Sequence, residues 1–259
     1  MCCNSKKNFN YLKGSTKQAF PLIMLWVFLM PFFLLLHCSA LKRLALGSGG
    51  ELCIGDCIDS LNSGYIMNFF ILLFTSAIIF IISGQNTTAN FILRLHSRKC
   101  IVKSQCIKSI CLSLIFSVCL ILISFLVSGL MVSSLINWSE QSSSFYQSQG
   151  YTLNISLLNV VVLTSLRIFL KLLFFTSAMV LISLRFKKII SFLAAVVLSA
   201  VRFPDLVQFA IENIFNLHGG YEYFPISMQI TYICVLPALI VLFFCLSFRM
   251  IKRKDFIVT

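Results

Sequence analysis

Long apolar runs separated by short polar segments set the pattern of the chain, at about 20–40, 66–83, 107–136, 166–184, 189–209 and 226–248. A helix needs about 20 apolar residues to cross the hydrocarbon core of a bilayer, and only helices or closed barrels satisfy their backbone there. The pattern predicts an all-α membrane protein: a single domain over 1–259 with six transmembrane helices. The first run, Phe20 to Ala40, follows Lys6, Lys7, Lys13 and Lys17, the layout of a signal peptide. It exceeds a signal peptide's apolar core and lacks a clear small-residue cleavage site, so it reads as a span with Pro21 near its start and a kink at Pro31. The third run is longer than a bilayer needs and must tilt or protrude. Its serines, Ser109, Ser113, Ser117, Ser124 and Ser128, read as packing residues rather than a conduit.

The polar segments differ in kind. Leu41 to Tyr65 holds five glycines with Glu51, Asp56 and Asp59, and Asn137 to Asn154 is rich in Ser and Gln; both read as outer loops. Gln85 to Lys108 instead carries Arg94, Arg98, Lys99, Lys103 and Lys108 with no acid, so it belongs on the cytoplasmic side. Phe91, Ile92, Leu95, Ile101 and Val102 recur within it at helical spacing, with Arg94, Arg98 and Lys99 mostly on another face. It is either a short amphipathic helix under the membrane or a charged tether. Arg185, Lys187 and Lys188 make a tight inner turn between spans four and five. After Arg202, Pro204 and Asp205 the fifth span breaks near the outer surface and continues as short re-entrant or surface helices toward Tyr221 and Tyr223. Both termini fall inside. Sixteen of the 21 Lys and Arg then lie inside and three outside.

Arg167 and Lys171 are left over, four residues apart in the run from Ile155 to Leu184. Two cations at the bilayer centre are costly. Either they line a polar cavity, or Ile155 to Leu166 is an interfacial helix and the span starts near Arg167 so that both side chains snorkel outward; the second is favoured.

Composition agrees: 59% hydrophobic, 11% charged, mean hydropathy +0.95. The net charge of +13 sits at helix ends, as topology signals and contacts to anionic headgroups rather than a nucleic-acid footprint. Most of the eleven cysteines read as reduced, apolar packing residues; Cys53 and Cys57, in an outer loop, allow a disulfide. His37 and Cys38 read as packed residues. The sequons at Asn137 and Asn154 fall outside and that at Asn86 inside. No phosphate-binding loop, zinc-protease or nucleophile-elbow motif occurs, and the spans lack the acids that proton-coupled carriers use.

The residues from Asn90 through Phe91, Ile92, Leu93, Arg94, Leu95, His96, Ser97 and Arg98 to Lys99, with the basic end Phe248 to Phe256, resemble the permease subunit of type-2 ABC exporters of the small six-span bacterial kind. The layout of an inner connector between spans two and three, a tight turn between four and five and a broken outer segment before six resembles that family too. No acid lies between Gln85 and Lys108, where family members often carry Glu. The resemblance implies a subunit of the bacterial plasma membrane that forms half of an export path for a bacteriocin-like peptide, drug or lipid-like molecule. The connector is then a coupling helix docked on a separate ABC ATPase through Phe91, Ile92, Arg94, Leu95, Arg98 and Lys99. This chain is not itself an enzyme and holds no cofactor; ATP and magnesium belong to the partner subunit. A second permease copy or a similar permease completes the path. The competing readings are a chemosensory receptor fragment, which needs another span count, an accessory membrane protein, and a membrane-embedded enzyme.

Overall fold

The computed structural model describes residues 5–62, 67–84, 98–186, 188–215 and 223–253, with side chains from 20–62, 70–83, 102–186, 188–214 and 223–251. Among these residues the fold is helical, and the one β feature is a single bridge between Glu51 and Ser143. The helices are α1 (Ser5–Ser48), α2 (Ile54–Asp59), α3 (Leu73–Gly84, entered through a π-helical stretch Met67–Leu72), α4 (Arg98–Met131), α5 (Ser144–Gln149) and α6 (Leu157–Ser183). They are followed by α7 (Lys188–Ala200), α8 (Phe203–Phe215), α9 (Ile226–Gln229) and, after a second π-helical stretch Ile230–Val235, α10 (Leu236–Arg253).

Four segments are long and apolar enough to cross a membrane: Phe20–Ser48, Val102–Met131, Leu157–Ser183 and Ile226–Ile251. The pair Lys188–Ala200 and Phe203–Ile214, bent by 42°, makes a fifth if it is one span. The expected second span is shorter, with its apolar helix running Phe70–Ser83. Outward-facing side chains on α1 and α4, such as Phe28, Phe32, Leu126 and Leu130, are large and apolar, as a lipid-facing surface requires.

Helix limits depart from the sequence expectations where local chemistry permits. The first helix runs unbroken through Pro21 and Pro31 and beyond Ala40 to Ser48, so Lys42 and Arg43 lie on a helix, not in a loop. Lys42 Nζ donates to the Met131 carbonyl at 2.8 Å, giving the last turn of α4 a cationic partner. The third span does not reach Ile136. It stops at Met131 and extends the other way, because Arg98 to Met131 contains no proline and Gly129 as its one glycine. Arg202, at φ +50°, turns the chain sharply between α7 and α8 and produces the bend that Pro204 and Asp205 suggested. The helix Phe203–Phe215 is one of the short helices expected after the break at Arg202, Pro204 and Asp205.

At the centre stands α6. Its residues from Arg167 to Val180 are buried except Phe169, and it contributes Ile168 and Leu172 to one apolar cluster and Leu170, Leu173, Phe174, Phe175 and Met179 to another. The first cluster includes Trp26, Met30 and Leu34 of α1, Phe116 and Leu120 of α4, and Trp138; the second includes Phe80 of α3, Tyr232, and Leu236 and Ile240 of α10. Trp26 also donates to Thr75 Oγ1 at 2.9 Å, tying α1 to α3. Of the six serines of α4, Ser109, Ser113, Ser117, Ser124 and Ser128 are fully buried and Ser104 is half-buried. Ser117 and Ser128 bond back to the carbonyls of Leu114 and Phe125, so they are packing residues, as expected.

The two ends of the bundle sort the polar segments. At one end the segment 49–62 and the segment 132–156 form a cap: Glu51 N–H donates to Ser142 O at 2.7 Å, Ser144 N–H to Glu51 O at 2.9 Å, and Ile54 N–H to Ser134 O at 3.0 Å. Gly50 permits this approach, since a Cβ there would stand 2.9 Å from Ser144 Cα. At the other end Val102, Cys106 and Ile251 pack with Leu184, Phe244 and Phe248, joining the ends of α4, α6 and α10. Segments expected to share one membrane face are therefore neighbours in space.

Candidate functional site

Beneath the cap, Arg167 and Lys171 lie one turn apart on α6, and i, i+4 spacing sends both side chains the same way. They are 9% and 1% exposed. The outward snorkelling favoured from the sequence therefore does not occur. No interfacial helix ends at Leu166, because Ser156 caps one continuous helix whose N-terminal turns are apolar, and the protein itself encloses both cations.

Each cation reaches an acid brought from elsewhere in the chain. Arg167 Nη1 is 3.4 Å from Oδ1 of Asp59, the last residue of α2, and Lys171 Nζ is 3.3 Å from Asp205 Oδ1 in the first turn of α8. Lys171 Nζ also donates to the Asn62 carbonyl at 3.0 Å. Asp59 Oδ1 accepts a shorter bond, 2.7 Å, from the Tyr223 hydroxyl. That phenol has a single proton, so the 3.1 Å contact with Thr164 makes Thr164 the donor to Tyr223. Burial and the neighbouring Asp59 charge push the Tyr223 pKa up, keeping the phenol a donor. The Arg167 guanidinium also stands over the Tyr232 ring, 5.6 Å from its centroid. Two cations and two carboxylates leave the cluster formally neutral, the condition under which buried charge is tolerated. Both ion-pair distances exceed the 2.7–2.9 Å typical of charge-assisted bonds. Among the described residues, both Asn62 amide atoms and Arg167 Nε lack a partner, leaving hydrogen-bonding capacity in the same place. Nearby, Glu212 Oε1 accepts from Gln208 Nε2 at 2.9 Å and Ser227 Oγ at 2.8 Å, linking α8 to α9.

The cap stands on Trp138. Its ring stacks on Phe145 at 4.6 Å and tilts against Tyr223 at 5.2 Å, and its Nε1–H donates to Asp56 Oδ1 at 2.6 Å. Asp56 Oδ2 accepts the Cys53 N–H at 2.9 Å, capping α2. Burial nevertheless raises the Asp56 pKa. A carboxyl whose folded pKa is raised adds stability below its unfolded pKa, and that stability is lost as pH climbs through the folded value. Accordingly, the Asp56 contribution to the thermal midpoint in detergent declines as pH rises above about 4, the ordinary range of a free carboxyl. The difference in midpoint between wild type and Asp56→Asn, measured as pH rises, checks this; a difference that does not change with pH overturns it.

Other residues singled out from sequence fall as follows. Phe91, Ile92, Arg94 and Leu95 lie outside the described residues, and Arg98 and Lys99 open α4. His37 Nε2 is 2.9 Å from Ser60 Oγ. Cys38, Cys53 and Cys57 are all free thiols in this structure, so the bridge allowed between Cys53 and Cys57 is not formed here. Burial, with the Asp56 charge, pushes the Cys53 thiol up to about 12. All eight described cysteines are free; Cys38, Cys53, Cys57 and Cys106 are buried and Cys119 half-buried, while Cys111, Cys234 and Cys245 are exposed on helix surfaces. Asn137 is buried and its amide donates to Glu51 O at 3.0 Å, which removes that sequon as a glycan acceptor in this fold, whereas Asn154 is exposed. Among the described residues, no group of three His, Cys, Asp or Glu is placed to hold a metal ion. Sequence reasoning missed Asp59, Asn62, Asp205 and Tyr223 as partners. The available signal was charge balance: two cations inside a span require acids, and seven of the eight acids fall in the segments that surround them. No family model, curated protein or solved structure matches the chain.

Proposed function

We propose that this chain is the permease subunit of an ATP-driven exporter in a bacterial plasma membrane. It has six membrane passes, both termini in the cytoplasm and the basic connector docked as a coupling helix on a separate ABC ATPase. The observation that carries this reading is α4, 34 residues without proline. At 1.5 Å per residue it is a rod about 50 Å long. It starts in the basic connector and ends under Lys42 at the cap, so a push on the connector is delivered to the outer face. The bent α7–α8 pair supplies the broken outer segment that the resemblance implies. The Arg167–Asp59 and Lys171–Asp205 pairs, joining α6 to two outer segments, act as the latch that outward opening must separate. A second copy or a similar permease completes the path, and the cargo is an amphiphile such as a bacteriocin-like peptide, a drug or a lipid-like molecule.

The test is affinity purification of the tagged chain from its native membranes, after mild crosslinking, with the captured subunits identified by mass spectrometry. Wild type captures a protein with a nucleotide-binding loop. Leu95→Asp and Arg94→Glu each reduce its yield at least about tenfold, since one buried unpaired charge or one reversed pair exceeds the 1.4 kcal/mol that a factor of ten represents. Full retention in both variants, or nucleotide hydrolysis by the purified chain alone, overturns the proposal.

A further inference from the structure

We infer that Cys38 and Cys57 form a disulfide that staples α1 to the cap when the cap faces an oxidising compartment. The two residues are far apart in the elements they serve: Cys38 is in the outer half of α1, Cys57 in α2. They are 1% and 0% exposed, and the Cys57 thiol hydrogen-bonds to the Cys38 sulfur. The surrounding contacts hold the pair in register. His37, adjacent to Cys38, meets Ser60 Oγ at 2.9 Å, and that hydroxyl donates to the Cys57 carbonyl at 2.7 Å. Cys53 is a poorer partner for Cys57. It caps the same short helix, and its sulfur lies against Gly55, 3.4 Å from where a Cβ would be. Closing the bridge brings the two buried sulfurs to a bond length of about 2.05 Å.

The oxidant is a disulfide-bearing thiol oxidant of the outer compartment, acting as the chain inserts and before the cap closes over the pair. One cysteine gives up its proton and its thiolate attacks the oxidant's disulfide, releasing one oxidant thiol and leaving a mixed disulfide. The other thiolate then attacks the protein sulfur of that mixed disulfide, forming the Cys38–Cys57 bond and releasing the second oxidant thiol. Two electrons and two protons pass from the cysteine pair to the oxidant. Once packed, the bond is shielded from reductants. It also fixes α2, and with it Asp59, relative to α1, so that movement of Asp59 away from Arg167 requires α1 to move as well.

The experiment uses the full chain, with membranes harvested into N-ethylmaleimide, denatured in detergent without reductant, digested and mapped by mass spectrometry. The expected result is a Cys38–Cys57 linked peptide, with Cys53 alkylated. The Cys53→Ser variant retains the link, and Cys57→Ser leaves Cys38 alkylated. As an independent readout, reductant added to the denatured and refolded or slowly equilibrated wild type lowers its thermal midpoint by several degrees, as expected for a loop of this length. The Cys38→Ser and Cys57→Ser variants show no such response. Complete alkylation of both Cys38 and Cys57, or a Cys53–Cys57 link in their place, overturns the inference. Neither outcome bears on the ATPase partner, so the staple and the proposed function fail separately.

Discussion

Lys171→Met lowers the stability of the detergent-solubilised protein by about 3 kcal/mol, the low end of the cost of breaking a buried ion pair. The substitution is close in volume, so the loss is electrostatic. It strips the Asn62 carbonyl of a donor and leaves Asp205 without the partner 3.3 Å away. Asp205 has a side chain 36% exposed, so water takes up part of its charge, and this keeps the effect from the upper end of the range. Combining Lys171→Met with Asp205→Asn returns about 1–2 kcal/mol, because the stranded carboxylate is gone. Arg167→Met with Asp59→Asn behaves in the same way, although the Tyr223 hydroxyl still donates to residue 59 and softens the single Arg167→Met change. Thermal midpoints of the two double-mutant cycles measure the couplings. A Lys171→Met protein as stable as wild type rules out a buried, paired ammonium at this position.

Trp138→Ala costs about 3–5 kcal/mol, the range for deleting a large buried aromatic. The loss falls on the cap: the stacking on Phe145 and Tyr223 disappears, and Asp56 loses its indole donor. Trp138→Phe separates these contributions. It keeps the ring contacts, forfeits the Asp56 bond and costs about 1–2 kcal/mol. Limited proteolysis in detergent is the second readout. In the Ala variant cleavage concentrates in 132–156, while the opposite end, where Val102, Cys106 and Ile251 meet, keeps its wild-type pattern. Uniform cleavage along the chain contradicts a cap held chiefly by this one side chain.

The helical spans were legible because a hydrocarbon solvent imposes a length and an apolar composition on each segment, and both are local properties. The polar loops were legible for a similar reason: clusters of glycines and acids are expelled from spans wherever the chain goes. Helix ends were less so. Whether α4 stops at Ile136 or Met131 depends on Ser134 and Leu135 pairing with Ile54 and Gly55, about eighty residues away in sequence. Arg167 and Lys171 were visible as an anomaly but not as a solution. Their acids lie 108 and 34 residues distant, and no periodicity links them. The same holds for Cys57, whose neighbouring sulfur belongs to α1 rather than to the nearby Cys53.

By itself, then, the sequence determined that this protein is helical and membrane-embedded, with several apolar spans and its basic residues gathered at their ends. Those properties follow from transfer free energies that add residue by residue. Tertiary structure alone decided that α6 is the enclosed helix, that its two cations are paired rather than exposed to lipid, and that the loops join as a cap on Trp138. Each of these outcomes depends on which distant side chains arrive within a few ångströms, and charge pairing and ring packing are properties of neighbours in space.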